Sequence, residues 1–206
     1  MSPSCTTTWP LSNKSLKKYD VAEGYYELAL AIREDTLGSN HPDVAASFNR
    51  LAVLYHTQKQ YFAAEFIYKR ALKIYLSTLG EDELGAASIF NNLGVLYQVQ
   101  EEYEDAEYNF QRALALREKA LGTKHKLVAA SLSKLAQFYR KSEKTNAADF
   151  HFKRALKTYQ ELWGTRHRGT INILELYASF LIDVGRRNEA EEYRARAKEI
   201  RNLESG

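Results

Sequence analysis

The chain has 206 residues, which suits one domain or a short repeat array. Hydrophobic residues make up 45% and charged residues 27%, a globular balance that excludes a disordered chain. Cys5 is the only cysteine, which excludes an intrachain disulfide and a Cys-based metal cluster. No apolar run approaches ~18 residues, so no membrane-spanning helix is expected. The net charge of +3 comes from Lys14, Lys17 and Lys18, and residues 19–206 carry 26 basic and 26 acidic side chains. That balance points away from a nucleic-acid binder. No proline follows Pro42 and glycines are thinly spread, so helices with short connections are expected.

One period organises the rest. Gly38, Gly80, Gly122 and Gly164 are spaced by 42 residues. Ala22, Ala64, Ala106, Ala148 and Ala190 share the spacing, and so do Ala29, Ala71, Ala113, Ala155 and Ala197. Such a period marks stacked supersecondary units. Each unit reads as two helices, with small residues where the helices approach and aromatics filling the space beside them.

Residues 1–18 read as a flexible leader. They hold no secretory hydrophobic region, and without Arg or an amphipathic face they do not read as an import peptide. A cytoplasmic protein is therefore expected. Asn13-Lys14-Ser15 fits a glycosylation acceptor and should stay unmodified without a signal.

A leading helix spans 19–37, with Ala22, Tyr26, Ala29, Leu30 and Ile32. It matches the second helix of later units, and its expected partner would fall where Pro3, Trp9 and Pro10 interrupt. Three covers for Tyr26 and Leu30 stay open: Trp9 and Leu11 folding back, a longer array, or a second copy stacking there. The first repeat, 43–79, opens after Pro42 and carries the stripe Phe48, Leu51, Ala52, Leu54 and Tyr55. Its second helix carries Ala64, Tyr68, Ala71, Leu72 and Tyr75. The second repeat, 85–121, shows Phe90, Leu93, Gly94, Leu96 and Tyr97. The third, 127–163, shows Leu132, Leu135, Ala136, Phe138 and Tyr139. The fourth, 169–201, shows Leu174, Tyr177, Ala178, Phe180 and Leu181. The glycine after each second helix is expected to cap it in the left-handed conformation. In the last helix Arg194 and Lys198 replace an aromatic and a leucine, as a soluble C-terminal cap requires. The array thus covers 19–202, with a short tail at 203–206.

Phe48-x-x-Leu51-Ala52-x-x-Tyr55, followed by Ala64, Tyr68 and Ala71, resembles the tetratricopeptide repeat. The 42-residue period is similar to that of the kinesin light chain and nephrocystin-3 subgroup. So are Leu37-Gly38-Ser39-Asn40-His41-Pro42-Asp43-Val44, Leu51-Ala52-Val53-Leu54-Tyr55 and Tyr68-Lys69-Arg70-Ala71-Leu72. The resemblance implies an all-α right-handed solenoid of helix-turn-helix repeats, one leading helix plus four helix pairs. It departs from the pattern in that Leu84, Lys126 and Arg168 stand where Pro42 would repeat. The heptad region with which kinesin light chains bind the motor heavy chain is also missing.

A solenoid of helix pairs presents a concave face lined by first helices. The candidate binding residues there are Asn49, Arg50, Val53 and His56, then Asn91, Asn92, Val95 and Gln98, then Ser133, Lys134, Gln137 and Arg140. The carboxamides of Asn49 and Asn91 offer both donor and acceptor to the backbone of an extended peptide, the role the resemblance implies for them. Arg50, Lys134, Arg140 and Lys141 would favour an acidic peptide. The alternative is an assembly or regulatory subunit that docks a folded partner on convex or terminal surfaces, through Tyr25, Tyr103, Tyr108 or Tyr193. Self-association through the leading helix is a further option.

Catalysis is not expected. His41, His125 and His167 share a repeat position, read as loop residues, and cannot converge on a metal. His56 and His151 lack a recognisable nucleophile or acid partner. No phosphate-binding glycine loop occurs, so no cofactor, metal or nucleic-acid partner is expected.

Overall fold

The computed structural model describes residues 12–79 and 84–204. Trp9, Leu11 and Gly80 lie outside these residues, and with them the fold-back cover and one member of the glycine period. The described residues form nine α-helices and no strand. They fall into two compact units, Met1–Thr78 and Leu79–Gly206.

The first unit holds α1 (Ser12–Leu37), α2 (Pro42–Thr57) and α3 (Tyr61–Leu79). Helix α1 starts ahead of Tyr19, because after Pro10 no residue before Gly24 opposes helix formation. Val44, Phe48, Leu51, Ala52, Ala64, Tyr68 and Ala71 are buried, as their spacing predicts. Arg70 on α3 lies over the Phe48 ring on α2, 4.1 Å from its centre. Between α1 and α2, Tyr55 Oη donates to Glu23 Oε1 at 2.8 Å and Arg33 Nη1 donates to Ser47 Oγ at 2.5 Å. The far side of α1 keeps Val21, Tyr25, Tyr26, Leu28 and Ile32 exposed.

The second unit holds α4 (Leu84–Val99), α5 (Tyr103–Leu121), α6 (Lys126–Lys141), α7 (Thr145–Trp163), α8 (Arg168–Asp183) and α9 (Arg187–Glu204). These pack as the pairs α4–α5, α6–α7 and α8–α9, with α5 against α6 and α7 against α8. Small residues set the spacing within pairs. A Cβ on Gly94 would stand 2.8 Å from the Phe110 ring, so α5 backs onto α4 where the residue is smallest. Ala106, Ala136, Ala148, Ala178 and Ala190 are wholly buried. Aromatic rings fill the space between pairs: Phe110 lies 5.3 Å from Phe138, and Phe152 lies 5.5 Å from Tyr177 and 5.3 Å from Phe180. On α9, Arg194 and Lys198 are exposed at the repeat positions where Phe110, Phe152, Leu114 and Leu156 are buried.

The helix ends hold a finding that spacing alone did not reveal. His41, His125 and His167 are N-caps and not bare loop residues. Each Nδ1 accepts from a backbone N–H two residues on: Asp43 at 3.1 Å, Leu127 at 3.2 Å and Gly169 at 3.0 Å. Replacing His125 by alanine should lower stability by about 1 kcal/mol, while asparagine should retain most of it. Chemical denaturation of both variants checks this, and equal midpoints would remove the capping role. The C-terminal glycines also differ from expectation. Gly122 and Gly164 have φ of 74° and 81°, but ψ of 168° and 175° puts them outside the left-handed helical region. That extended, positive-φ region is open almost only to glycine.

Candidate functional site

In the first unit, Asn49 and His56 are half-buried on α2, while Arg50 and Val53 are exposed. His56 stands edge-on to Tyr61 with ring centres 5.8 Å apart, and burial lowers its pKa.

In the second unit the candidate residues sit on α4 and α6. Asn91 and Asn92 are half-buried neighbours, and Asn91 Nδ2 donates to Asn92 Oδ1 at 3.3 Å. Val95 and Gln98 continue the face one and two turns along, both half-buried. On α6, Gln137 is exposed and its Nε2 donates to the Ser133 carbonyl at 3.2 Å. Ser133, expected on the solvent side, is buried with 8% exposure. Arg140 is not a free cation. Its Nε donates to Asp183 Oδ2 at 2.6 Å and its Nη2 to Ser179 Oγ at 3.1 Å, tying α6 to α8. The positive field expected of Arg140 is therefore largely neutralised.

Lys134 differs from Arg140. It is half-buried, and burial together with the nearby positive charge of Arg117 lowers its pKa. Arg117 comes from α5 and is buried, and its Nη1 donates to Ser131 Oγ at 2.5 Å. Sequence reasoning passed over Arg117 and Ser131. The signal was present in the repeat register, where Arg33 and Arg117 alternate with Tyr75 and Tyr159 while Ser47 and Ser131 alternate with Ile89 and Ile173.

Polar bridges fix these helices in place. Tyr139 Oη donates to Glu107 Oε1 at 2.8 Å and accepts from Gln111 Nε2 at 2.8 Å. Burial raises the Glu107 pKa, but hydrogen bonds from Lys144 and Tyr139 outweigh it and hold the carboxyl below its usual range. Tyr177 Oη donates to Asp149 Oδ1 at 2.8 Å, and Arg186 Nη1 reaches the same oxygen at 2.5 Å. His151 stacks on Tyr139 with ring centres 5.2 Å apart, and its buried Nδ1 has no hydrogen-bond partner. Burial, and then the charge of Arg154, push its pKa down from 6.5 to about 4. The unfolded chain takes up a proton on this side chain below pH 6.5, and the folded chain only near pH 4. Acid should therefore favour unfolding through His151 across that window. His151→Phe should flatten the fall in melting temperature between pH 6.5 and 4; an unchanged slope would contradict this.

Among the described residues, no group of three or more His, Cys, Asp or Glu side chains could hold a metal ion. No described helix is long and apolar enough to cross a membrane.

The sequence profile of the tetratricopeptide repeat matches residues 13–77 and 85–161. No curated protein sequence matches the chain. Among solved structures, BtubC (BKLC) from P. vanneervenii superposes with a TM-score of 0.82 at 26% identity, covering 94% of this chain and 77% of its own. A putative kinesin light chain from Podosopora anserina with nearly identical repeats gives 0.77 at 22% identity, covering 91% and 89%. Aspartyl phosphate phosphatase F from Bacillus subtilis gives 0.75 at 16% identity, covering 93% of this chain and 50% of its own.

Proposed function

Because the chain belongs to the tetratricopeptide-repeat family, we propose that it is a non-catalytic interaction module that holds an extended segment of a partner protein against its first helices. The observation that carries this reading is the carboxamide pair on α4. Among the described residues Asn91 makes one side-chain hydrogen bond, through Nδ2 to Asn92, so its Oδ1 is left to accept from a ligand backbone N–H. Asn49 occupies the same repeat position on α2. Within the second unit Val95 adds apolar contact one turn beyond Asn91, and Gln98 on α4 and Gln137 on α6 add further carboxamides. Such a face suits main-chain recognition with side-chain pockets between the polar anchors.

The test is a pull-down from cell extract with wild type and an Asn91→Ala variant. Losing one ligand hydrogen bond should weaken capture roughly fivefold. Equal capture by both proteins would end the reading.

A second reading has its own support. Tyr108 on α5 and Phe150 on α7 are 57% and 56% exposed at one repeat position, which Phe66 also holds in the first unit. Exposed aromatics on second helices suit a folded partner. Crosslinks on these residues, and not on Asn91 or Lys134, would favour it.

A further inference from the structure

We propose that α1 pairs with α1 of a second copy of this chain, antiparallel, about a two-fold axis between Tyr25 and Leu28. Helix α1 stands in the register of a second helix, and the repeat would place a first helix and its turn ahead of Tyr19. Instead α1 runs unbroken from Ser12, with 26 residues against 19 in α3, α5 and α7. Glu23 and Arg33 reach α2 from one side of it. On the other side Val21, Tyr25, Leu28 and Ile32 recur at steps of four, three and four, the spacing of a two-helix seam. They are 55–70% exposed. The repeat itself does not ask for this stripe. At the position of Leu28 the other second helices carry Arg70, Arg112, Arg154 and Arg196. At the position of Ile32 stand Ile74, Leu116, Thr158 and Ile200, all buried, so packing covers that place in every later unit. Gly24, beside the stripe, stands where Phe66, Tyr108 and Phe150 present rings, and the space at its missing Cβ is open. A partner helix can come close there. The last helix treats its open side differently, with Arg194 and Lys198 exposed.

Charge identifies the occupant as a second α1. The helix has no acid in its first turn and no base in its last. Lys14, Lys17 and Lys18 stand near its start, and Glu34 and Asp35 near its end, an order opposed to the helix dipole. A second α1 laid antiparallel brings the opposite order alongside. The stripe continues by the same steps to Lys18 and Lys14 at one end and to Asp35 at the other. Two-fold pairing then matches Tyr25 with the partner's Leu28, Val21 with the partner's Ile32, and Lys18 with the partner's Asp35. Each match occurs twice, as an isologous contact requires. A parallel pair would instead set lysine on lysine and aspartate on aspartate. The apolar seam has four residues per copy, a small contact, so micromolar association is expected.

The experiment is sedimentation equilibrium of the full chain from about 1 to about 300 µM. Wild type should pass from monomer to dimer across that range. Leu28→Arg installs the residue of the other second helices at an exposed site. It should keep the circular dichroism of wild type and weaken association at least about tenfold. Lys18→Asp should also weaken association, because it sets acid against acid. Lys18→Asp combined with Asp35→Lys in one chain should restore it, since both contacts return with their signs exchanged. A monomer at every concentration would overturn the proposal, whether residues 1–11 or nothing covers the stripe. So would a dimer that Leu28→Arg leaves intact, and so would failure of the double exchange to restore association. The groove reading stands or falls separately, because α1 is not among its first helices.

Discussion

Replacing Phe152 by alanine should lower unfolding stability by about 3–5 kcal/mol, the largest effect of any single truncation considered. Phe152 is wholly buried on α7, and its ring stacks against Tyr177 and lies against Phe180, both on α8. Truncation removes the apolar surface and leaves a void. The surrounding rings cannot close that void, because Tyr177 is anchored through its hydroxyl to Asp149. In a stacked array each pair contacts only its neighbours, so the loss falls directly on the packing of α7 against α8. Phe150 is the control, since it is exposed two residues away. Phe150→Ala should change stability by roughly 0.5 kcal/mol or less. Urea denaturation of both variants checks the contrast, and similar midpoints would contradict the packing described.

Enlarging Ala106 to phenylalanine should cost more than about 1 kcal/mol, up to about 3. Ala106 has no exposed surface. It lies one turn before Phe110 on the same face of α5, and Phe110 already stands within 2.8 Å of where a Gly94 Cβ would be. No volume remains between α4 and α5 for a ring. Ala115 on the exposed side of α5 takes the same substitution as a control and should tolerate it. An unchanged melting curve for Ala106→Phe would show that the small residues do not set the helix spacing.

The repeat made the fold legible. Ala64, Ala71, Ala106, Ala148, Ala155 and Ala190 recur because helix pairs approach closely only where side chains are small, and all are buried. The aromatic and leucine stripes follow from the same geometry. What the sequence did not disclose is polar pairing between helices. A histidine before a helix reads as loop until its Nδ1 is seen to accept from the Asp43, Leu127 or Gly169 amide. Arg140 reads as a free cation until Asp183 is brought beside it by helix α8. Ser133 reads as surface because helical periodicity places it on the polar side, yet packing buries it. Arg117 stayed unnoticed because the Ser131 hydroxyl to which it donates comes from another helix. Turn strain was equally hidden. Lys59, Glu101 and Glu143 adopt positive φ of 62°, 65° and 58° at one repeat position, where only the fourth repeat supplies Gly185.

The most direct test of ligand holding by first helices is hydrogen–deuterium exchange of the full chain, with and without a nonapeptide recovered by panning a random library against it. Slowed exchange should appear in residues 84–99 and 126–141, the first helices of two neighbouring pairs. Slowing confined to the outer faces of the second helices, or absent throughout the chain at saturating peptide, would contradict the proposed mode of binding.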